Sequence, residues 1–150
     1  MDSTAQIPDA PTFPTLLFRV GRDLYGSKVI NAQEAIPLRT ATRVPGAPPF
    51  VRGLINVRGT IVTVIDLGTR LDETRPPIDD GSILLVRQNG GDRIVGVVVD
   101  EVLDVRSLAI DEGATPAGAR GGTTRGLAMI DDTTVVILDL EALISKVLLS

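Results

Sequence analysis

An internal repeat constrains the fold of this chain more than any other feature of its sequence. Residues 52–71 (RGLINVRGTIVTVIDLGTRL) align without a gap on residues 125–144 (RGLAMIDDTTVVILDLEALI), and seven of the twenty positions are identical. Both segments begin with Arg-Gly, continue through two apolar stretches and reach the same Asp-Leu pair. Upstream, an apolar hairpin around Gly26 resembles another around Gly96. Two apolar hairpins can look alike by chance, but the shared ends favour a duplicated unit.

The repeated unit is too small to make a stable domain alone. About five short strands are enough to close one small barrel, but such a barrel has little core. Two barrels packed together bury a shared face and leave a groove in which a partner can dock. We therefore predict an all-β fold of two five-stranded barrel lobes with a short C-terminal helix. Lobe one is expected at residues 22–80 and lobe two at residues 81–150, to which strand 15–20 can also contribute.

Apolar patterning and turn residues predict the individual elements. One fifth of the chain is Val or Ile, which favour strands. The clearest hairpin signal is Asn89-Gly90 between two apolar runs. Apolar residues at helical spacing over 140–148 predict a helix capped by Asp139, and Asp66 is expected to cap one helical turn in the same way. Residues 1–13, which are rich in proline, are predicted to be a disordered tail.

The composition excludes several classes of function. The chain has no Cys and no His, which rules out disulfides, zinc fingers and Ser–His–Asp catalysis. A net charge of −4 and 3% aromatic residues oppose a nucleic-acid-binding SH3-like barrel. We also find neither an apolar run of membrane-spanning length nor a signal peptide. A cytoplasmic protein without cofactor or metal is therefore expected.

Four blocks of the sequence, in the same order, resemble the CheW family of chemotaxis coupling proteins. The most specific is residues 50–67 (FVRGLINVRGTIVTVIDL). The other three blocks lie at residues 25–34, 96–105 and 126–140. The resemblance covers about residues 15–148, with two departures: Thr63 stands where the family often has Pro, and Gly68 where it often has Arg.

The resemblance implies both a fold and a function. Members of the family consist of two SH3-like five-stranded barrels and have no catalytic activity. They couple the cytoplasmic tips of chemoreceptors (methyl-accepting chemotaxis proteins) to the histidine kinase CheA, whose regulatory domain has the same fold. Neither nucleic acid nor direct membrane insertion is implied. The chain is too short to carry kinase motifs or a receiver domain as well, which favours a free-standing adaptor.

The resemblance also indicates which residues bind the receptor. Arg58, in the turn between two apolar strands, belongs to the family's N-x-R-G motif, and Glu34 belongs to a Gln-Glu pair assigned to the receptor groove. The complete set of candidates is Val29, Ala32, Glu34, Val57, Arg58, Val99 and Val102. Each has a simpler interpretation: the apolar residues fit a barrel core equally well, Arg58 fits a solvated turn, and Glu34 fits an exposed strand.

Two further interpretations are weaker. Asp66-Leu67-Gly68 faintly resembles an aspartic-protease motif, and the repeat supplies a second acid at Asp139, so a small acid–base hydrolase is an alternative. However, Leu67 lacks the hydroxyl group of that motif, and helix capping accounts for both acids. The Gly-rich residues 118–122 lack the Lys-Ser/Thr of a phosphate-binding loop, so a flexible loop is the better interpretation.

Overall fold

The computed structural model describes residues 11–28, 32–72, 74–88, 93–113 and 124–149. Two helices lie in these ranges, α1 (Leu67–Leu71) and α2 (Leu140–Leu149). The strands are β1 (Phe13–Val20), β2 (Asp23–Lys28), β3 (Ala32–Pro37), β4 (Val51–Val57), β5 (Thr60–Asp66), β6 (Ser82–Arg87), β7 (Ile94–Val99), β8 (Glu101–Leu108), β9 (Asp111–Glu112), β10 (Thr124–Ile130) and β11 (Thr133–Leu138). Strand β1 thus starts inside the predicted tail, of which residues 1–10 lie outside the described ranges.

The strands form two sheets. The first has the order β3-β6-β7-β5-β4 and the second the order β8-β1-β2-β11-β10-β9. Neighbouring strands are antiparallel except at one place in each sheet, where β5 runs parallel to β7 and β11 runs parallel to β2. The two parallel pairs are equivalent positions of the sequence repeat. The duplication is therefore visible in the topology as well as in the sequence.

Each sheet closes into a barrel through one bent segment. In the first sheet, the chain beyond β3 returns to β4, where Thr42 and Leu54 exchange two backbone hydrogen bonds of 2.8 Å. In the second sheet, β8 pairs with β1 and its continuation β9 pairs with β10. Counting β8 and β9 as one bent strand, each barrel has five strands. The predicted all-β fold of two SH3-like lobes with a short C-terminal helix is confirmed.

The predicted division of strands between the lobes is wrong for β2 and for β6–β7, whereas strand β1 lies in the second barrel, to which strand 15–20 was expected to be able to contribute. The hairpin β1–β2 lies in the second barrel beside β10–β11, whereas β6–β7 lies in the first barrel beside β4–β5. The two repeats have exchanged their first hairpins, so a boundary at residue 80 cuts through the first barrel. The exchange makes the chain cross between barrels after β2 and again after β7, at Asp100. The apolar pattern of either hairpin fits either barrel, so the sequence pattern alone does not distinguish the two arrangements.

One large apolar cluster joins the two barrels. It contains Phe18 and Val20 of β1 in the second barrel and Leu84 and Val97 in the first. Helix α2 packs its predicted apolar stripe into the same cluster through Leu140, Leu143 and Ile144, while the side chains of Val147 and Leu148 lie outside the description. Two smaller clusters fill the individual barrels. The shared cluster is the apolar junction that the repeat predicted.

An arginine from the loop after α1 links the two barrels at Asp100, where the chain passes from the first barrel to the second. Arg75 Nη2 donates to both carboxylate oxygens of Asp100, at 3.0 and 3.3 Å. Asp100 Oδ1 also accepts a 2.8 Å hydrogen bond from the backbone N–H of Gly21, in the turn between β1 and β2. The guanidinium of Arg75 lies over Gly68, the position where the family often has Arg. Gly68 therefore makes room for an arginine that arrives from elsewhere in the chain.

This arrangement predicts an unusual sign for one substitution. Ala in a helix is ordinarily preferred to Gly by about 0.8–1 kcal/mol. At Gly68, however, a Cβ would lie 2.5 Å from Arg75 Nη1, and the guanidinium would have to move away from Asp100. Because this weakens the Arg75–Asp100 hydrogen bonds, we expect Gly68→Ala to lower the free energy of unfolding. In an Arg75→Ala background the obstruction is gone, and Gly68→Ala should become neutral or stabilising. Urea unfolding of the four proteins measures this coupling, and an unchanged cost in both backgrounds would show that Arg75 does not occupy this space.

Candidate protein-binding site

The turn between β4 and β5 holds Arg58 in a backbone conformation that arginine rarely adopts. Arg58 has φ 49° and Gly59 has φ 88°, so both residues are left-handed. Two-residue turns of this kind match the twist of a hairpin, but they suit Gly, Asn and Asp better than Arg. In the second copy of the repeat the same position is occupied by Asp131, with φ 53°. Turn geometry therefore does not call for an arginine at this place.

The closure of the first barrel brings Arg58 and Glu34 together. Strands β3 and β4 lie at opposite ends of the strand order, and the Thr42–Leu54 bridge makes them neighbours. Arg58 Nη2 donates a hydrogen bond to Glu34 Oε1 across this seam. The side chains remain 69% and 39% exposed, respectively. An exposed ion pair contributes about 0–1 kcal/mol, so this pair adds little to the fold and leaves both groups accessible.

The five apolar candidates fall into three groups. Val57 is 7% exposed inside the first barrel and Val99 is 1% exposed in the cluster between barrels, so both belong to the core instead of lining a groove. Ala32 and Val102 are partly buried and pack on the edge of the shared cluster. Val29 lies outside the described residues. Among the described apolar candidates, Ala32 and Val102 therefore keep surface that a partner can contact.

Ala32 lines a cavity of about 250 Å³ at the junction of the barrels. The floor of the cavity is apolar, formed by Leu16, Leu84, Val86, Leu138 and Leu140. Its rim is charged, formed by Lys28, Arg125, Asp139 and Glu141. A groove between the lobes was expected from the repeat, and this cavity is such a groove, with β3 running from it at Ala32 to the ion pair at Glu34.

Further exposed apolar side chains were not among the candidates. Leu103 and Val105 project from β8, the strand that carries Val102, and Ile61 projects from β5 near the Arg58 turn. The repeat-equivalent turn exposes Met129 on β10. A Val or Leu in a strand is most simply interpreted as core, which is why the sequence did not indicate them. Strand β8 has apolar residues on both of its faces, and this pattern could have indicated that some of them are exposed.

The two aspartates of the hydrolase alternative make hydrogen bonds that stabilise the fold. Asp66 Oδ1 accepts from the backbone N–H of Thr69 at 3.2 Å, and Oδ2 accepts from Arg52 Nη1 at 3.0 Å. Asp139 repeats the arrangement, accepting from the N–H of Ala142 at 3.0 Å and from Arg125 at 3.5 Å. Each carboxylate therefore caps a helix and binds the Arg that opens its own repeat. This is the capping role that the sequence predicted.

The described residues offer little else for chemistry. Across these ranges no group of three or more Asp or Glu side chains is placed to hold a metal ion. No helix in the same ranges is both long and apolar enough to cross a membrane. The Gly-rich residues 118–122, considered as a phosphate-binding loop, lie outside the description. The surface features described above that remain are the Arg58–Glu34 pair, the cavity and the exposed apolar side chains of β5, β8 and β10.

Comparison with known proteins gives one consistent result. The CheW-like domain matches residues 14–148. The chemotaxis protein CheW of Klebsiella aerogenes is 33% identical over 136 residues, covering 87% of this chain and 81% of that protein. The CheW of Thermotoga maritima is 30% identical over 143 residues, covering 90% and 89%.

A solved structure agrees with the sequence comparisons. The crystal structure of the scaffolding protein TtCheW from Thermoanaerobacter tengcongensis superposes with a TM-score of 0.77 at 28% identity. The match covers 88% of this chain and 92% of that one. The similarity therefore extends over both barrels and does not rest on one hairpin motif.

Proposed function

Because the chain belongs to the CheW family, we propose that it is a cytoplasmic, non-catalytic adaptor that couples chemoreceptor tips to the histidine kinase CheA. In this proposal one surface binds the cytoplasmic tip of the receptor and another binds the regulatory domain of the kinase. The protein then acts through geometry, because it holds the two partners in a fixed relation. The description of the relative from Thermoanaerobacter tengcongensis as a scaffolding protein supports this role.

The observation that carries the receptor part of the proposal is the conformation of Arg58. A left-handed backbone costs an ordinary L-residue about 1–2 kcal/mol, and Asp131 occupies the equivalent turn at lower cost. The side chain of Arg58 is 69% exposed, so it contributes little to the stability of the fold. Strain that the fold does not require is typical of functional positions. We infer that Arg58 is present for the hydrogen bonds that its guanidinium makes to a partner.

The other candidate residues also suit a protein partner. The guanidinium donates to carbonyl or carboxylate oxygens on the receptor tip, and Glu34, released from the ion pair, accepts from donors there. Ala32 and Val102 supply partly buried apolar surface at the edge of the junction. Apolar contacts then provide affinity, and the two charged groups set the register.

The proposal is tested by titrating the purified protein separately against a soluble receptor tip and the CheA regulatory domain from the same genome. We expect saturable binding to each. Calorimetry gives both affinities, and a nucleic-acid oligomer serves as the control for nonspecific binding. Absence of binding to both protein partners would contradict the adaptor proposal.

A further inference from the structure

The turn that carries Arg58 is braced by the side chain of Asn56. Asn56 Oδ1 accepts a 2.9 Å hydrogen bond from the backbone N–H of Gly59, so the bond spans the left-handed residue between them. The backbone carbonyl of Asn56 accepts a 3.2 Å hydrogen bond from Arg39 Nη1. Asn56 is thus held at one end by the body of the first barrel and holds the turn at the other.

The second copy of the repeat shows what the turn looks like without this brace. Met129 occupies the position of Asn56, and its side chain is 56% exposed. Asp131, in the position of Arg58, still adopts φ 53°. Asp enters the left-handed region readily, so that turn forms without a bracing amide. The amide is found in the copy where the left-handed residue is an arginine.

We propose that Asn56 is a positioning residue that keeps Arg58 left-handed and so directs its guanidinium toward Glu34 and the receptor. The effect on receptor binding rests on the proposed function. The effect of Asn56 on the backbone conformation of Arg58 does not depend on that function. Binding to a protein that is competent only part of the time is weakened by the competent fraction. If loss of the brace leaves about one tenth to one fifth of the molecules left-handed at Arg58, receptor affinity falls about five- to tenfold.

A double-mutant cycle on receptor binding separates positioning from direct contact. Asn56→Ala should weaken binding to a soluble receptor tip about five- to tenfold, and Asn56→Asp, which keeps an acceptor at the same place, should restore most of it. In an Arg58→Ala background, Asn56→Ala should have no further effect, because it acts only through Arg58. Met129→Ala, in the equivalent strand of the other barrel, is the matched control and should bind as wild type.

Two results of the binding experiment would overturn the inference. One is wild-type affinity in Asn56→Ala; the other is an equal loss in the presence and absence of Arg58, which would make Asn56 a contact residue. A second measurement does not depend on the receptor. The intraresidue Hα–HN nuclear Overhauser effect of Arg58, strong for a left-handed residue, should weaken in Asn56→Ala. If wild type binds no receptor, the function fails, and this signal alone decides on positioning: its persistence in Asn56→Ala refutes the brace.

Discussion

Replacement of Arg58 by asparagine is expected to weaken binding to the receptor tip about ten- to hundredfold. The loss corresponds to one charge-assisted hydrogen-bonded pair at an interface, worth about 1.5–3 kcal/mol. Asparagine is the informative substitution, because it removes the guanidinium but accepts the left-handed backbone of this turn more readily than arginine does. The fold should therefore be unharmed or slightly stabilised. Weaker binding at unchanged stability is a combination that misfolding does not produce.

Three measurements on Arg58→Asn check this expectation. Titration against the receptor tip gives the loss, titration against the CheA regulatory domain should match wild type within about twofold, and thermal unfolding should show no decrease in Tm. Asp131→Asn, at the equivalent turn of the other barrel, is the control and should leave receptor affinity unchanged. Equal losses with both partners would indicate a general defect. No loss with either would make Arg58 an ordinary solvated turn residue.

Replacement of Gly53 by alanine is expected to cost more stability than any other single change considered for this chain. Gly53 has φ 134°, a conformation that L-residues avoid, and an added Cβ would overlap the carbonyl oxygen of Thr42. That carbonyl belongs to the bridge that closes the first barrel. Backbone strain of this kind costs about 1–3 kcal/mol, and the overlap with rigid backbone adds to it. We expect a loss of about 3 kcal/mol or more.

The repeat offers matched tests of the same explanation. Gly126, the equivalent of Gly53, faces the carbonyl of Asp111 where β9 closes the second barrel, so Gly126→Ala should also be strongly destabilising. Gly46 has φ 81° but open space around its Cβ position, so Gly46→Ala should cost only the strain of its backbone. Urea unfolding followed by circular dichroism ranks the three variants. If Gly53→Ala were no worse than Gly46→Ala, the tight barrel closure would be refuted.

The sequence predicts more of the fold than of the site. The repeat indicates two barrels, and the Asp-Leu pair that each copy shares indicates both helix caps, at Asp66 and Asp139. Each of these features is specified by a short segment of the chain. The exchange of the β1–β2 and β6–β7 hairpins is not specified locally, because the same apolar alternation packs equally well on either barrel. Only the assembled core, shared by both barrels, distinguishes these pairings.

Among the candidate residues, charge predicted surface exposure correctly, whereas apolar character did not distinguish core from groove. Arg58 and Glu34 were predicted at the surface, and the structure places them there in one ion pair. Val57 and Val99 were equally consistent with core and groove, and burial places both in the core. A valine in a strand has the same sequence signature on either face of a barrel wall. The position of Arg75 over Gly68 depends on the conformation of a loop. The loop sequence has no regular pattern, so this contact could not be predicted from the sequence.

The adaptor proposal is tested most directly by asking whether the protein bridges its two partners. A receptor tip is immobilised, the CheA regulatory domain is passed over it, and retained kinase domain is measured with and without this protein. We expect retention to rise with added protein and to fall about tenfold or more when Arg58→Asn replaces wild type. Binding of each partner alone, with the kinase domain never retained through this protein, would contradict coupling, because the two partners would then compete for one surface.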